Sequence, residues 1–231
     1  MLTRRAFLAA AGTAVFARSA RAADAARIGP QPLKLGDNRD GTLYVPRGYK
    51  ADAPAPMLLM LHGAGGTSQS VSYTFAIADD LGFIVLAPDS RDEATWDLLL
   101  HGYAEDVEFI GAALHDTYAR CSVDRKRMAI AGHSDGASYA LSLGIANGDR
   151  FGRVLAFSPG FAAPPEQVGR PRMFISHGVH DRVLPIDQCS RPLVASLREG
   201  GYDIEYREFD GGHEMPEAIV RAAFMWATTS A

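Results

Sequence analysis

Met128-Ala129-Ile130-Ala131-Gly132-His133-Ser134-Asp135-Gly136-Ala137-Ser138 is the stretch on which the fold turns. An apolar, strand-like run enters it and a helix-like run leaves it. Between them lies a G-x-S-x-G pentapeptide. Glycines two before and two after a serine let a strand and a helix approach closely around a strained turn, which pushes the serine oxygen out at the top of a sheet. The pentapeptide alone is a weak signal, but between a strand and a helix it is a strong one. Ser134 is the candidate nucleophile.

Working outward, short apolar runs alternate with amphipathic stretches of helical length. Strands are expected at Leu43–Val45, Met57–His62, Phe83–Ala87, Arg127–Ala131, Arg153–Phe157, Arg172–His177 and Asp203–Phe209. Several are apolar almost throughout, as strands covered on both faces should be. Helices are expected at about Ser68–Leu81, Ala104–Tyr118, Asp135–Ala146, Ile186–Glu199 and Pro216–Ala227. This alternation predicts an α/β fold, a doubly wound and mostly parallel sheet with no large lid domain. No internal repeat or long linker divides it, so residues 23–231 are expected to form a single domain.

A serine hydroxyl is a poor nucleophile near neutral pH and needs a base, and the base needs a group to orient it. Asp181 follows the strand-like Met173–His177, and His213 follows Ile204–Phe209. Both fall at carboxyl ends of strands, where open α/β sheets place their sites. The chain order serine, acid, histidine is that of the nucleophile-elbow hydrolases. Asp187 and Asp210 are the nearest rival carboxylates. His177, His180 and Asp181 are close in sequence, but an extended segment does not give the helical i, i+4 face of the zinc proteases, so no metal site is expected.

The oxyanion hole is read from Leu61-His62-Gly63-Ala64-Gly65-Gly66. Its donors are assigned to the backbone N–H groups of Ala64 and Asp135, with Gly65 competing for the first. The Asp135 side chain, at a helix start where the dipole favours negative charge, is read as structural. Substrate walls are expected from 89–102, with Trp96 and His101, and from 158–171, with Phe161. This chemistry requires no metal or organic cofactor.

These segments resemble the α/β-hydrolase fold, in particular small serine esterases of the phospholipase/carboxylesterase and polyhydroxybutyrate depolymerase/feruloyl-esterase-like groups. The likeness is carried by Leu59-Met60-Leu61-His62-Gly63, Ala104-Glu105-Asp106-Val107-Glu108-Phe109-Ile110, Ala131-Gly132-His133-Ser134-Asp135-Gly136, His177-Gly178 through Asp181 to Pro185, and Gly212-His213. It runs from about residue 43 to 228. It implies a Ser134–His213–Asp181 triad that cleaves carboxylic esters through an acyl-enzyme. The Asp-Val-x-Phe-Ile helix start leans toward the depolymerase/feruloyl-esterase side. With no polymer-binding module in view, a soluble ester of modest size is the expected substrate. A peptidase of the same fold, or a hydrolase fold kept for binding alone, are the alternatives.

Composition bounds the remainder. The chain has 231 residues, 47% of them apolar and 22% charged, which is ordinary for a globular protein and excludes disorder and collagen-like repeats. The formal charge of −4 offers no basic stripe for nucleic acid. Residues 1–22 look like a removable address: Thr3-Arg4-Arg5-Ala6-Phe7-Leu8 resembles the twin-arginine export signal, an apolar run follows, and Ala20-Arg21-Ala22 is an A-x-A cleavage site. The apolar run is too short to span a bilayer, so no stable membrane anchor is expected. Twin-arginine export machinery is then the implied partner, and the periplasm or medium the destination. Removal of four arginines and no acids leaves −8 on residues 23–231. Cys121 and Cys189 are expected at opposite ends of the sheet and therefore unbridged.

Overall fold

The computed structural model describes residues 26–36, 38–99 and 102–229; the expected export signal lies outside them. Eight strands form one sheet: β1 (Gly29–Pro32), β2 (Gly41–Val45), β3 (Ala55–Leu61), β4 (Ile84–Pro88), β5 (Val123–His133), β6 (Arg153–Phe157), β7 (Arg172–Gly178) and β8 (Ile204–Phe209). Their order across the sheet is β1-β2-β4-β3-β5-β6-β7-β8. The first two strands pair antiparallel, β2 runs antiparallel to β4, and every later pairing is parallel. The order reverses at β3, so chain on either side of this point leaves in opposite directions and opens a crevice above the strand ends.

Five α-helices cover the sheet: α1 (Thr74–Leu81), α2 (Glu105–Arg120), α3 (Asp135–Ala146), α4 (Ser190–Glu199) and α5 (Glu217–Thr228). Strands β3 and β4 are buried almost from end to end, because helices cover both faces. Side chains alternate between two cores. Leu59, Leu61, Ile130 and Ile175 face one with α3, while Leu58, Met60, Phe157 and Phe174 face the other with α5. Helix α3 is buried along nearly its whole length. A Cβ on Gly144 would meet Val154 Cγ2 at 2.4 Å, so the missing side chain sets how closely this helix lies on the sheet.

Three expectations differ from the structure. The helix expected over Ser68–Leu81 is two pieces, a 3₁₀ turn at Ser68–Val71 and then α1. Thr67 caps the turn, Ser72 Oγ donates to Gln69 O, and Thr74 Oγ1 donates to Val71 O; local hydroxyl bonds of this kind compete with a continuous helix. The helix expected from Ile186 begins at Ser190, because Gln188 and Cys189 first turn back onto Pro185 O. Strand β1 is absent from the expected set: Gly-Pro-Gln-Pro lacks strand propensity and is tolerated as an edge. Cys121 and Cys189 are free and buried.

Candidate active site

Ser134 stands between β5 and α3 with φ 56° and ψ −119°, a backbone conformation that is costly for any residue with a side chain. Neighbouring glycines make the turn possible. A Cβ on Gly132 would lie 2.1 Å from Gly136 O, and one on Gly136 would lie 2.2 Å from His62 O. These are backbone atoms of the elbow and of the adjoining loop, so neither position accepts even alanine without moving the chain. Ser134 N–H donates to Phe157 O at 2.9 Å, and Ser134 O accepts from Ala137 and Ser138 N–H. The turn is thereby held from both sides.

The loops after β7 and β8 deliver the other two groups. A Cβ on Gly178 would clash with Gly212 O at 2.2 Å and Gly211 O at 2.4 Å, so only glycine lets these loops meet. Val179 N–H donates to Phe209 O and His180 N–H to Gly211 O, both at 2.9 Å. Asp181 and His213 are brought together as a result. His213 Nδ1–H donates to Asp181 Oδ2 at 2.6 Å, and Ser134 Oγ–H donates to His213 Nε2 at 2.8 Å. The structure thus aligns the three predicted side chains in one chain of hydrogen bonds. The rival carboxylates point elsewhere: Asp187 pairs with Arg191, and Asp210 with His180.

Burial by itself would raise the Asp181 carboxyl. The Leu184 N–H, the His213 ring and the Val183 N–H outweigh it and hold the group below the ordinary aspartate value. Beside it, burial and the neighbouring His213 push His133 down to about 4, so this ring stays neutral. The two imidazole rings lie 5.0 Å apart.

The loop after β3 completes the arrangement. Ser90 N–H donates to His62 Nε2 at 3.0 Å, which leaves the proton of the neutral ring on Nδ1, where it donates to Gly63 O at 2.8 Å. Gly66 N–H also donates to Gly63 O. A trans peptide directs its N–H opposite to its carbonyl, so anchoring Gly63 O fixes where Ala64 N–H points. Gly65 N–H, the competing donor, is occupied by Ala94 O at 2.8 Å. Among the described residues, no protein acceptor takes the Ala64 or Asp135 N–H. Gly63 itself sits against the elbow, where an added Cβ would lie 3.4 Å from Ser134 Cβ.

The Asp135 carboxylate accepts from Thr95 Oγ1 at 2.6 Å and Trp96 N–H at 3.0 Å, pinning the 89–102 segment to the start of α3. Trp96 requires a correction. Expected on the substrate rim, it is fully buried, its ring packed against His62 and Tyr139 and its indole N–H donated to His62 O at 2.8 Å. It supports the loop after β3 from beneath. The indole's need for a buried acceptor explains the placement, and the His62 carbonyl supplies one. His101 lies outside the described residues. Phe161 is half-buried, and its N–H reaches Ser138 Oγ, one turn along α3 from Ser134. Among the described residues no cluster of histidine, cysteine or acidic side chains could hold a metal ion, and no helix is long and apolar enough to cross a membrane.

A parallel sheet of this order, with a serine elbow after β5 and an acid and a histidine after β7 and β8, is the α/β-hydrolase fold. The chain belongs to the Esterase family, described as "Putative esterase", which it matches over residues 33–228. A protein named "Probable feruloyl esterase C" from Aspergillus flavus is 27% identical over 183 residues, covering 73% of this chain and 66% of that protein. The chain spans just under two thirds, or less, of the length of the curated relatives it matches. Two solved structures share the fold. An S-formylglutathione hydrolase of Staphylococcus aureus has TM-score 0.71 and 14% identity, covering 88% of this chain and all of that one. A CE1 ferulic acid esterase of Anaeromyces mucronatus has TM-score 0.69 and 17% identity, covering 87% and 90%.

Proposed function

We propose that this chain is an exported carboxylic ester hydrolase that works through Ser134, His213 and Asp181. One observation carries the reading: the unbroken line from Ser134 Oγ to His213 Nε2 at 2.8 Å and from His213 Nδ1 to Asp181 Oδ2 at 2.6 Å. In the proposed cycle Ser134 Oγ attacks the acyl carbon and its proton passes to His213 Nε2. Asp181 stabilises the imidazolium, and the N–H groups of Ala64 and Asp135 receive the oxyanion. The C–O bond to the alcohol then breaks, and the alcohol leaves with the His213 proton. Water attacks the acyl-enzyme, gives a proton to His213, and expels Ser134 with formation of the carboxylic acid. The sum is ester plus water to acid plus alcohol.

Relatives named feruloyl esterase C support aryl esters as the first substrates to try, with Phe161 as one wall of the site. Residues 1–22 are proposed as the export signal and 23–231 as one domain.

The test is hydrolysis of a series of p-nitrophenyl and feruloyl esters, with labelling by a fluorophosphonate. Ser134→Ala should remove turnover and label together while thermal unfolding is unchanged. Asp181→Asn should cut kcat by about 10⁴ through loss of the orienting carboxylate. A label on another residue would overturn the mechanism, as would peptide-anilide cleavage at an efficiency equal to that on esters. The mature N-terminus, read by mass spectrometry after expression of the full chain, should be Ala23; an uncut chain would remove the export reading.

A further inference from the structure

Asp181 receives more donors than a three-residue relay requires. Its Oδ1 accepts from Val183 N–H at 2.8 Å and Leu184 N–H at 2.9 Å. Its Oδ2 accepts from His213 Nδ1–H at 2.6 Å. The His177 ring stands on the remaining side of the carboxylate: its Nε2, hydrogen-bonded to Leu184 O at 2.8 Å, also lies 3.1 Å from the same Oδ2. Both side chains, His177 and Asp181, are wholly removed from solvent.

The surroundings of His177 dictate its tautomer. Nε2 faces two acceptors, Leu184 O at 2.8 Å and Asp181 Oδ2, so Nε2 carries the proton. Nδ1 faces Ser190 Oγ at 2.5 Å, and the hydroxyl there must donate. Ser190 is itself buried at the start of α4. A leucine of similar size would fill the same space but leave Leu184 O with one partner fewer and the carboxylate with three donors. Packing alone therefore does not account for an imidazole here.

We infer that His177 is a positioning residue for the reaction: a neutral ring whose Nε2–H, hydrogen-bonded to Leu184 O, also faces Asp181 Oδ2, steadies the carboxylate and tempers its pull on His213. The inference rests on the triad reading above. Two N–H groups facing one oxygen divide its charge between them. Removing the His177 donor concentrates that charge on the His213 imidazolium, so His213 holds its proton to higher pH. Burial favours the neutral form of His177, against the opposing pull of Leu184 O and Asp181. Among the other groups near this pair is the Cys189 thiol, just before α4, which burial and the Asp181 charge push up and keep protonated. His133 lies beside His213 and is neutral, and Glu208, across from His177 on β8, is bound to Arg191. Glu214, next to His213, is exposed and accepts from Gly212 N–H.

Two measurements test the inference. Nitrogen-15 NMR of the histidine-labelled protein should find His177 neutral and protonated on Nε2 from about pH 5.5 to 8.5, because Nε2 faces the Leu184 carbonyl and burial disfavours the charged ring. A ring protonated on Nδ1, or one that titrates in that interval, would overturn the proposal without any variant. In His177→Leu, kcat/KM should fall about 10–100-fold, the usual cost when a hydrogen-bonding partner of an active-site group is lost. Its acid limb should move up by about half a pH unit. In His177→Gln, whose amide can still donate to Asp181, the limb should stay near that of the wild type. A leucine variant with lowered melting temperature and an unmoved acid limb would reduce His177 to a core residue. A glutamine variant that follows the leucine one would do the same. Should the leucine variant fail to fold, the NMR measurement and the glutamine variant still decide. Failure of the triad reading is separable, since activity or label surviving in Ser134→Ala removes the triad, whereas a normal Ser134 adduct with unmoved limbs removes only the role of His177.

Discussion

Gly136 illustrates how much one absent methyl group decides at the nucleophile elbow. Its virtual Cβ falls 2.2 Å from His62 O and 2.6 Å from Leu61 O, on the backbone of the loop that presents Ala64 N–H. Gly136→Ala must therefore push the elbow and the oxyanion loop apart. We expect a loss of about 1–3 kcal/mol or more in urea unfolding, as overpacked interiors show. A fall in kcat of at least about 10²-fold should accompany it, the cost of one misplaced oxyanion donor. A variant with unchanged kcat would mean that the loop yields without consequence. At this scale the meeting of Ser134, Asp181 and His213 was legible in the sequence, because strand-end position and chain order are linear properties. What takes the Gly65 N–H out of the competition with Ala64 was not, since it is Ala94 O, contributed from 29 residues beyond Gly65. His177 was equally hidden: nothing in its neighbours reveals that Ser190 and Leu184 O will fix its proton.

Among the elements, two carboxylates hold the 89–102 segment: Asp106 of α2 accepts from Arg91 and Asp97 N–H, and Asp135 ties the part between them to the start of α3. Asp135 holds Thr95 Oγ1 and Trp96 N–H, and Trp96 in turn packs beneath His62. Asp135→Ala should loosen the stretch around Thr95 and Trp96 while Asp106 still holds Arg91 and Asp97 and α3 stays in place. Limited proteolysis should then cut near Ala94–Trp96, where the wild type resists, because exposed segments with few tertiary bonds open first. Equal resistance in both proteins would show that Trp96 packing suffices. The sequence located β6 and α3 to the residue, since apolar runs and small residues mark them strongly. It shortened β5, whose first half, Val123–Arg127, is polar and half-exposed and pairs with Ala55 only across a register shift. It placed Trp96 on a rim because a large aromatic in a loop looks like a wall until its indole N–H is traced to a buried carbonyl.

Across the whole molecule, protonation couples the site to stability. His62, His133 and His177 are held neutral by burial, with His133 at about 4. Each binds a proton more readily when unfolded, near pH 6.5, so each contributes stability that is lost as pH falls below that value. Asp106 acts in the opposite sense. Burial raises it to about 6 against the N–H bonds from Arg91 and Asp97, so its contribution declines as pH rises from about 4 to about 6. Three histidines against one aspartate should leave stability rising between about pH 4 and 6.5. Urea midpoints at half-unit intervals would check this, and a flat or falling profile would contradict it. Replacing Asp106 with asparagine should steepen the rise, because the opposing contribution disappears.

The two outer strands have a consequence for how copies of this protein meet. An open sheet offers unpaired backbone groups at each border, which invites another strand to add and so starts aggregation. Here β1 carries Pro30 and Pro32, both exposed, which cannot donate from the backbone. On the far border, β8 sets charged Glu205, Arg207 and Glu208 around Tyr206, with Arg207 paired to Glu205 and Glu208 to Arg191. One border withholds donors and the other surrounds them with charge. A sheet so guarded resists the addition of a strand from another copy at either border.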